Sequence, residues 1–160
     1  MKKNLSALIL GTLFLSACVS SKVHTAGTDM MVENFWARSA MKGGNGAAYL
    51  LLKNSTNEDD ALVGASSDVA EAVEIHLSQM NADGTMEMTP QESIFLPVGG
   101  EVELKPGSYH IMLINLKQDL KAGNEIPLTL KFKSHADLTL NVPVMDAESM
   151  SGSGMDGHMP

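Results

Sequence analysis

Short extended segments separated by turn signals recur along most of the chain, and this pattern constrains the fold more than any other feature. Glycine, asparagine and proline mark the turns, and none of the segments between them keeps a helical period. Many short strands at such spacing predict an all-β protein, built as an antiparallel sandwich or barrel. The predicted strands are residues 31–38, 47–53, 61–65, 72–80, 85–89, 93–98, 101–104, 109–116, 126–132 and 136–144.

Alternating apolar residues show that some of these strands bury only one face. Val102 and Leu104 alternate with glutamates, and Leu128, Leu130 and Phe132 alternate in a later strand. Because neighbouring side chains on a strand point to opposite faces, these residues predict a core on one side and solvent on the other. At 160 residues the chain is long enough for one such core and short for two domains.

Residues 72–89 predict a β-hairpin that turns at Ala82-Asp83-Gly84. Gly84 can take the left-handed conformation that a three-residue loop requires. That turn sets the register, and a slip of one residue would move alternate side chains to the opposite face. The predicted register pairs Met80 with Met86 and Ser78 with Met88, which places His76 diagonal to Met88 on one face.

Two histidines and two methionines form the candidate binding set: His76, Met88, His110 and Met112. Eleven residues separate the first two, 21 separate the next two, and one residue separates the last two. The last pair shares a face if residues 109–116 form a strand. Thioether sulfur is soft and imidazole is borderline, so this neutral set favours Cu(I) over hard cations.

Each of these four residues also has a structural interpretation when it is considered alone. A single histidine in an apolar strand is more often a hydrogen-bonded structural residue than a metal ligand. Met112 could fill the core, since methionine adapts to irregular gaps. The prediction of a metal site therefore rests on the joint spacing of all four residues.

The N-terminal sequence indicates export and lipid attachment. Lys2 and Lys3 precede an apolar stretch, residues 5–15, that is too short to span a bilayer. Leu15-Ser16-Ala17-Cys18 follows and resembles a bacterial lipobox, in which cleavage precedes a lipidated cysteine. We therefore predict a lipoprotein signal peptide at residues 1–17, lipidation at Cys18 and a polar tether at residues 18–28. The alternative is an ordinary signal peptide with a chance cysteine.

Cys18 is the only cysteine in the chain. Once it is lipidated, no thiolate remains for a disulfide or a metal, and thioethers suit a copper site in an oxidising compartment. We expect the protein on the periplasmic side of the cell envelope, held to the membrane only through its lipid. Val19 follows the cysteine, as in lipoproteins that are sorted to the outer membrane.

Residues 146–160 form a tail that is rich in glycine, serine and methionine and that follows the predicted domain at residues 29–145. One interpretation is a copper-collecting arm, with Cu(II) held through His158 and carboxylates. The alternative is a low-complexity tail without a metal role. Candidate auxiliary ligands are Met80 and Met86 in the hairpin, and Met150, Met155, His158 and Met159 in the tail.

Several classes of function are excluded. A formal charge of -8 would repel nucleic acid. A blue-copper electron carrier needs a cysteine thiolate that this chain lacks. No nucleophile elbow, HExxH or phosphate-binding motif is present, so we predict that the protein is not an enzyme. The remaining ionisable residues considered are predicted to be exposed: Glu71, Glu74, Glu101, Glu103, His24 and His135.

The binding set and its surroundings resemble the PCuAC family of periplasmic copper chaperones. The segments that match are His76 to Met88, Glu103-Leu-Lys-Pro-Gly-Ser-Tyr-His110-Ile-Met112-Leu, Leu116-Lys-Gln-Asp-Leu-Lys-Ala-Gly, Trp36-Ala-Arg38 and Asn45-Gly-Ala-Ala-Tyr-Leu. Family members often have methionine directly after the first histidine, where this chain has Leu77. Leu77 need not weaken the site, since it would point to the opposite face.

The resemblance implies a cupredoxin-like Greek-key β-sandwich that binds one Cu(I) at the four positions named above. It also implies delivery towards the cytochrome c oxidase subunit with the dinuclear copper site, alongside Sco-type thioredoxin-like proteins. Two other functions stay open: a copper-sequestering resistance lipoprotein, and an envelope lipoprotein whose methionines and histidines are structural.

Overall fold

Residues 29–146 are described by a computed structural model, and within this range the protein consists of strands, turns and loops without any helix. It follows that no helix in residues 29–146 is long and apolar enough to cross a membrane. The ten strands are β1 (Met30–Arg38), β2 (Gly46–Asn54), β3 (Asp60–Ser66), β4 (Ala70–Met80), β5 (Met86–Gln91), β6 (Ile94–Leu96), β7 (Glu101–Leu104), β8 (Tyr109–Leu116), β9 (Glu125–Phe132) and β10 (Leu138–Met145). The prediction of an all-β fold is confirmed, and each predicted strand is present with ends shifted by two residues or fewer.

The strands form one hydrogen-bonded path, β5-β4-β8-β2-β1-β10-β9-β3-β6, which is folded into two layers. β7 lies off the path and pairs with the C-terminal half of β2, beyond the part that pairs with β8. β1 and β10 connect the layers through a short parallel pairing of Ala37 with Val144 and Arg38 with Met145. The first layer therefore contains β5, β4, β8, β2, β7 and β1, and the second contains β10, β9, β3 and β6.

A single hydrophobic cluster fills the space between the layers. Strand β9 shows why: Ile126, Leu128, Leu130 and Phe132 are buried while the residues between them are more exposed, as the alternation predicted. Ile75 of β4 and Ile111 of β8 belong to the same cluster from the other layer. Because these two residues point inwards, the residues on either side of each point to the outer face of the first layer.

The β4–β5 hairpin has the register that the sequence predicted. Met80 pairs with Met86 and Ser78 pairs with Met88. Gly84 has φ +84°, and its N–H donates to the Asn81 carbonyl at 3.0 Å. This left-handed residue closes the three-residue loop, and so the turn chemistry fixes which hairpin side chains reach the outer face.

Candidate metal site

His76 and His110 are direct partners on adjacent strands of the first layer. His76 lies on β4 and His110 on β8, and the two are paired in the antiparallel register. Their ring centroids are 5.9 Å apart with an interplanar angle of 59°. The fold therefore brings the two imidazoles together on the outer face, although they lie far apart in the sequence.

The environment of His110 fixes its tautomer. Its ring is buried, with 4% exposure, and its Nδ1 lies 3.0 Å from the Ser108 carbonyl oxygen. A carbonyl oxygen can only accept, so Nδ1–H donates and Nε2 keeps a lone pair. The same carbonyl also accepts the Ser78 N–H at 3.1 Å, which ties the loop before β8 to β4. His110 is thus prepared to bind a metal through Nε2.

His76 has the complementary arrangement. Its Nε2 lies 2.8 Å from Glu74 Oε2, and since a carboxylate only accepts, Nε2–H is the donor. Nδ1 then carries the lone pair. Among the residues that the structure describes, His76 Nδ1 is the one buried side-chain nitrogen or oxygen without a hydrogen-bond partner. A buried acceptor of this kind is normally satisfied, and a metal ion would satisfy this one.

Both methionines of the set lie on the same outer face as the histidines. Met112 follows His110 by two residues on β8 and is paired with Glu74 of β4 on one side and Ala47 of β2 on the other. Met88 is paired with Ser78, which places it diagonal to His76 as predicted. Met112 is half-buried, whereas Met88 is 56% exposed. The donor set therefore has a buried side formed by His110 and an open side formed by Met88.

A cleft of about 500 Å³ opens beside this set. Met88, His110 and Met112 line it together with Met86 and Tyr49. Of the four candidate ligands, His76 is the one that does not line this cleft. The cleft gives a ligand or a partner's side chain access to the thioethers and to His110.

Two aromatic residues support the buried side of the site. Tyr49 lies 6.4 Å from the His110 ring, centroid to centroid, and Trp36 lies 4.6 Å from Tyr49. Burial raises the pKa of Tyr49, with the nearby Arg38 opposing that shift, so the phenol stays neutral. Tyr49 thus flanks the buried His110 ring, and Trp36 packs against Tyr49 in turn.

Glu74 lies on a solvated face, as predicted, but its contact with His76 was not predicted. Its side chain is 46% exposed, but its carboxylate accepts the hydrogen bond from His76. The signal in the sequence was the Glu74–His76 spacing, because residues two apart on a strand share a face. The Ser108 carbonyl and Tyr49 were also missed, because they meet the histidines only through the pairing of β8 with β4 and with β2, which the sequence alone did not give.

His135 was predicted to be an exposed surface residue, but the structure holds its side chain partly buried against Asp29. Its side chain is 19% exposed, its Nδ1 lies 2.7 Å from the Ala136 carbonyl oxygen, and its Nε2 lies 2.7 Å from Asp29 Oδ1. Each acceptor calls for a donating ring nitrogen, so the two contacts together favour the protonated form of the ring. Accordingly the hydrogen bond to Ala136 first, and then Asp29, raise the pKa of His135 against the effect of burial. The same contact lowers the pKa of Asp29.

The remaining predicted site residues divide into two groups. Met80 and Met86 lie in the β4–β5 hairpin, on the same face as the quartet formed by His76, Met88, His110 and Met112. Their exposed fractions are 71% and 50%. The predicted lipidation residue Cys18, His24 and the tail candidates Met150, Met155, His158 and Met159 lie outside the described residues.

The donor chemistry of the quartet suits a soft, monovalent metal. Each imidazole has one ring nitrogen that could bind a metal, and two thioethers add soft sulfur without adding charge. Within residues 29–146, no three His, Cys, Asp or Glu side chains are grouped so that they could hold a metal ion. The quartet is a different kind of set, because half of its donors are methionines.

Solved structures share this fold. The copper-bound PCuAC domain from PmoF2 has a TM-score of 0.62 and 24% identity, over 76% of this chain and 96% of that domain. The solution structure of CuI-DR1885 from Deinococcus radiodurans has a TM-score of 0.55 and 27% identity, over 80% of this chain and 86% of that protein. The protein is therefore of the PCuAC structural class, with a cupredoxin-like β-sandwich, and the predicted resemblance is confirmed.

Sequence comparison gives the family. The chain belongs to the LpqE-like family, described as "Putative lipoprotein LpqE-like", which matches residues 30–144. It is 31% identical to "Putative lipoprotein Lxx21020" of Leifsonia xyli subsp. xyli, over 88% of this chain and 86% of that protein. It is 39% identical to "Uncharacterized protein RP573" of Rickettsia prowazekii, over 68% of this chain and 62% of that protein.

Proposed function

We propose that this protein is an extracytoplasmic metallochaperone that binds Cu(I) through His76, Met88, His110 and Met112. The observation that carries the proposal is that the sheet register places both histidines and both methionines on one face, where one ring nitrogen of each histidine contacts Glu74 or the Ser108 carbonyl and the other is left for a metal. The copper in the PmoF2 domain and the Cu(I) in DR1885 support the same cargo.

The mechanism is binding and exchange, without a chemical conversion of the metal. Cu(I) has a filled d shell, and so it imposes little geometry on its ligands and can gain a new one before losing an old one. The exposed Met88 is the ligand that a recipient can replace first, while the buried His110 holds the metal from the opposite side. Thioethers are neutral and flexible, which keeps this exchange reversible.

We further propose that the protein works from the envelope surface, anchored by lipid at Cys18. The lipoprotein descriptions of the family and of the Leifsonia relative support an envelope location. The periplasmic side, and the outer membrane in particular, follow from the signal sequence and Val19 as predictions. The proposed recipient is the cytochrome c oxidase subunit with the dinuclear copper site, with Sco-type proteins acting alongside it.

A transfer experiment tests this function. The purified protein is loaded with one equivalent of Cu(I), mixed anaerobically with the copper-free dinuclear-site domain of the oxidase subunit, and separated from it before copper is measured in both fractions. We expect copper to move to the recipient. The variant that combines His110→Ala with Met112→Ala should deliver no more copper than an equal amount of free Cu(I).

The same experiment distinguishes copper sequestration, the alternative that the methionine-rich tail favours. A sequestering protein would keep its copper in the presence of the recipient. It would also bind several ions, and this number would fall on deletion of residues 146–160 but not on substitution of the quartet. Retention of copper with that stoichiometry would refute the chaperone proposal.

A further inference from the structure

The tip of the β4–β5 hairpin holds two more thioethers, Met80 and Met86, in direct register. The Ser78 N–H donates across to the Ser108 carbonyl on the β8 side, so Ser78 and Met88 form a pair without backbone hydrogen bonds to each other. Hydrogen-bonded and non-hydrogen-bonded pairs alternate along an antiparallel ladder. Met80 and Met86, two residues further, therefore also form a non-hydrogen-bonded pair, in which side chains lie closest.

These methionines are open to solvent and continuous with the quartet. Met80 is 71% exposed, Met86 is 50% exposed and Met88 is 56% exposed. Met86 and Met88 share one face of β5, and both line the cleft that contains His110 and Met112. The thioethers thus run from the hairpin tip, through Met88, to the buried histidine.

Packing does not account for methionine at the hairpin tip. The side chains of Met80 and Met86 are largely in water, and β5 is an edge strand, where exposed apolar residues promote association between chains. The neighbouring cross-strand pair, on the opposite face of the hairpin, is Gln79 and Glu87, which are the polar residues usual for such an edge. The feature that distinguishes Met80 and Met86 from other apolar residues is a soft donor sulfur.

We propose that Met80 and Met86 form a second, weaker Cu(I) site, at which copper enters before it moves through Met88 to the quartet. This inference rests on the proposed function of the quartet. With two neutral donors and no imidazole, the hairpin site binds less tightly than the quartet, so copper moves inwards. The metal remains Cu(I) throughout: the Cu–S bonds to Met80 and Met86 break as Cu–S bonds to Met88 and Met112 and Cu–N bonds to His76 and His110 form, and no electron or proton is transferred.

NMR of the full-length protein labelled at the methionine methyl groups with ¹³C tests the site. Each methyl signal is assigned by its loss in a Met→Leu variant, and Cu(I) alone is added anaerobically. We expect the first equivalent to shift Met88 and Met112, and further Cu(I) to shift Met80 and Met86 together. Met31 and Met41, which are exposed but lie outside the hairpin, are the matched controls. Hairpin signals that move no more than these controls would overturn the proposal.

A loading experiment tests the role in entry. In the variant that combines Met80→Leu with Met86→Leu, we expect Cu(I) to reach the quartet several-fold more slowly from a competing chelator, with unchanged equilibrium affinity. An unchanged loading rate would overturn entry through the hairpin. A lower equilibrium affinity of the quartet for Cu(I) in this variant would overturn the claim of two separate sites.

The two proposals fail in different ways. In the variant that combines His110→Ala with Met112→Ala, the hairpin signals should still respond to Cu(I) although tight binding is lost. If the quartet signals of the unmodified protein do not respond to Cu(I), the proposed function fails, whatever the hairpin signals do.

Discussion

Replacement of Glu74 by alanine tests whether the carboxylate orients His76 for metal binding. The Glu74 carboxylate accepts the His76 Nε2–H at 2.8 Å and so leaves the lone pair on the buried Nδ1. Loss of a group that hydrogen-bonds to a metal-binding histidine typically costs about 10- to 100-fold in affinity. Glu74 is 46% exposed, so water can replace part of its effect. We therefore expect a loss of Cu(I) affinity at the lower end of this range, about 10-fold, which corresponds to roughly 1.4 kcal/mol of binding free energy.

Competition with a Cu(I)-specific chromogenic chelator under anaerobic conditions measures this loss. Glu71→Ala removes the same charge from an exposed position on the same strand and is the matched control. Glu74→Gln keeps an acceptor for His76 without the charge, so it should recover most of the affinity if orientation matters more than charge. If Glu74→Ala binds Cu(I) as tightly as Glu71→Ala, the role assigned to the carboxylate is refuted.

Three further predictions concern stability. Leu130 is fully buried, so Leu130→Ala should lower the free energy of unfolding by about 2–5 kcal/mol in urea denaturation, and a loss below this range would contradict its place in the core. Gly84 has φ +84° with no atom within 4 Å of an added Cβ, so Gly84→Ala should cost about 1–2 kcal/mol through backbone strain alone. Gly64→Ala, which is equally unobstructed but lacks a positive φ, should cost less, and an equal cost would contradict this reasoning. The pKa of His135 is raised above 6.5 and that of Asp29 is lowered below 3.8. Their contact should therefore contribute fully to the stability of the folded protein between pH 3.8 and pH 6.5. Its contribution should be lost as pH rises through the raised pKa or falls through the lowered one. The difference in melting temperature between the protein and His135→Ala, measured against pH, checks this, and a difference that does not change with pH would contradict it.

Local sequence features were sufficient to predict the strands and the hairpin. Turn residues mark the strand ends, and period-two alternation in β9 identifies the side that is buried. Asp83-Gly84 specifies the loop geometry, which in turn sets the register of Met80 with Met86 and Ser78 with Met88. Each of these interactions joins residues that are close in the chain, and for this reason the sequence is informative about them.

Contacts between distant segments could not be predicted in the same way. Strand β8 pairs with both β4 and β2, and no local signal selects those partners. The position of His110 opposite His76 and the shared Ser108 carbonyl depend on that pairing. The contact between His135 and Asp29 spans 106 residues, and so spacing gave no indication of it.

The central claim is that the quartet binds Cu(I) through its thioethers as well as its imidazoles. The variant that combines Met88→Leu with Met112→Leu removes both sulfurs with little change in side-chain volume, so the fold should be retained. The variant that combines Met31→Leu with Met41→Leu removes two methionines elsewhere and is the control. Competitive Cu(I) titration of both variants is the most direct test. We expect the quartet variant to lose more Cu(I) affinity than the roughly 10- to 100-fold that is typical when a hydrogen bond to a metal ligand is lost. The control variant should bind Cu(I) like the unmodified protein. Equal, tight binding by the two variants would contradict the claim.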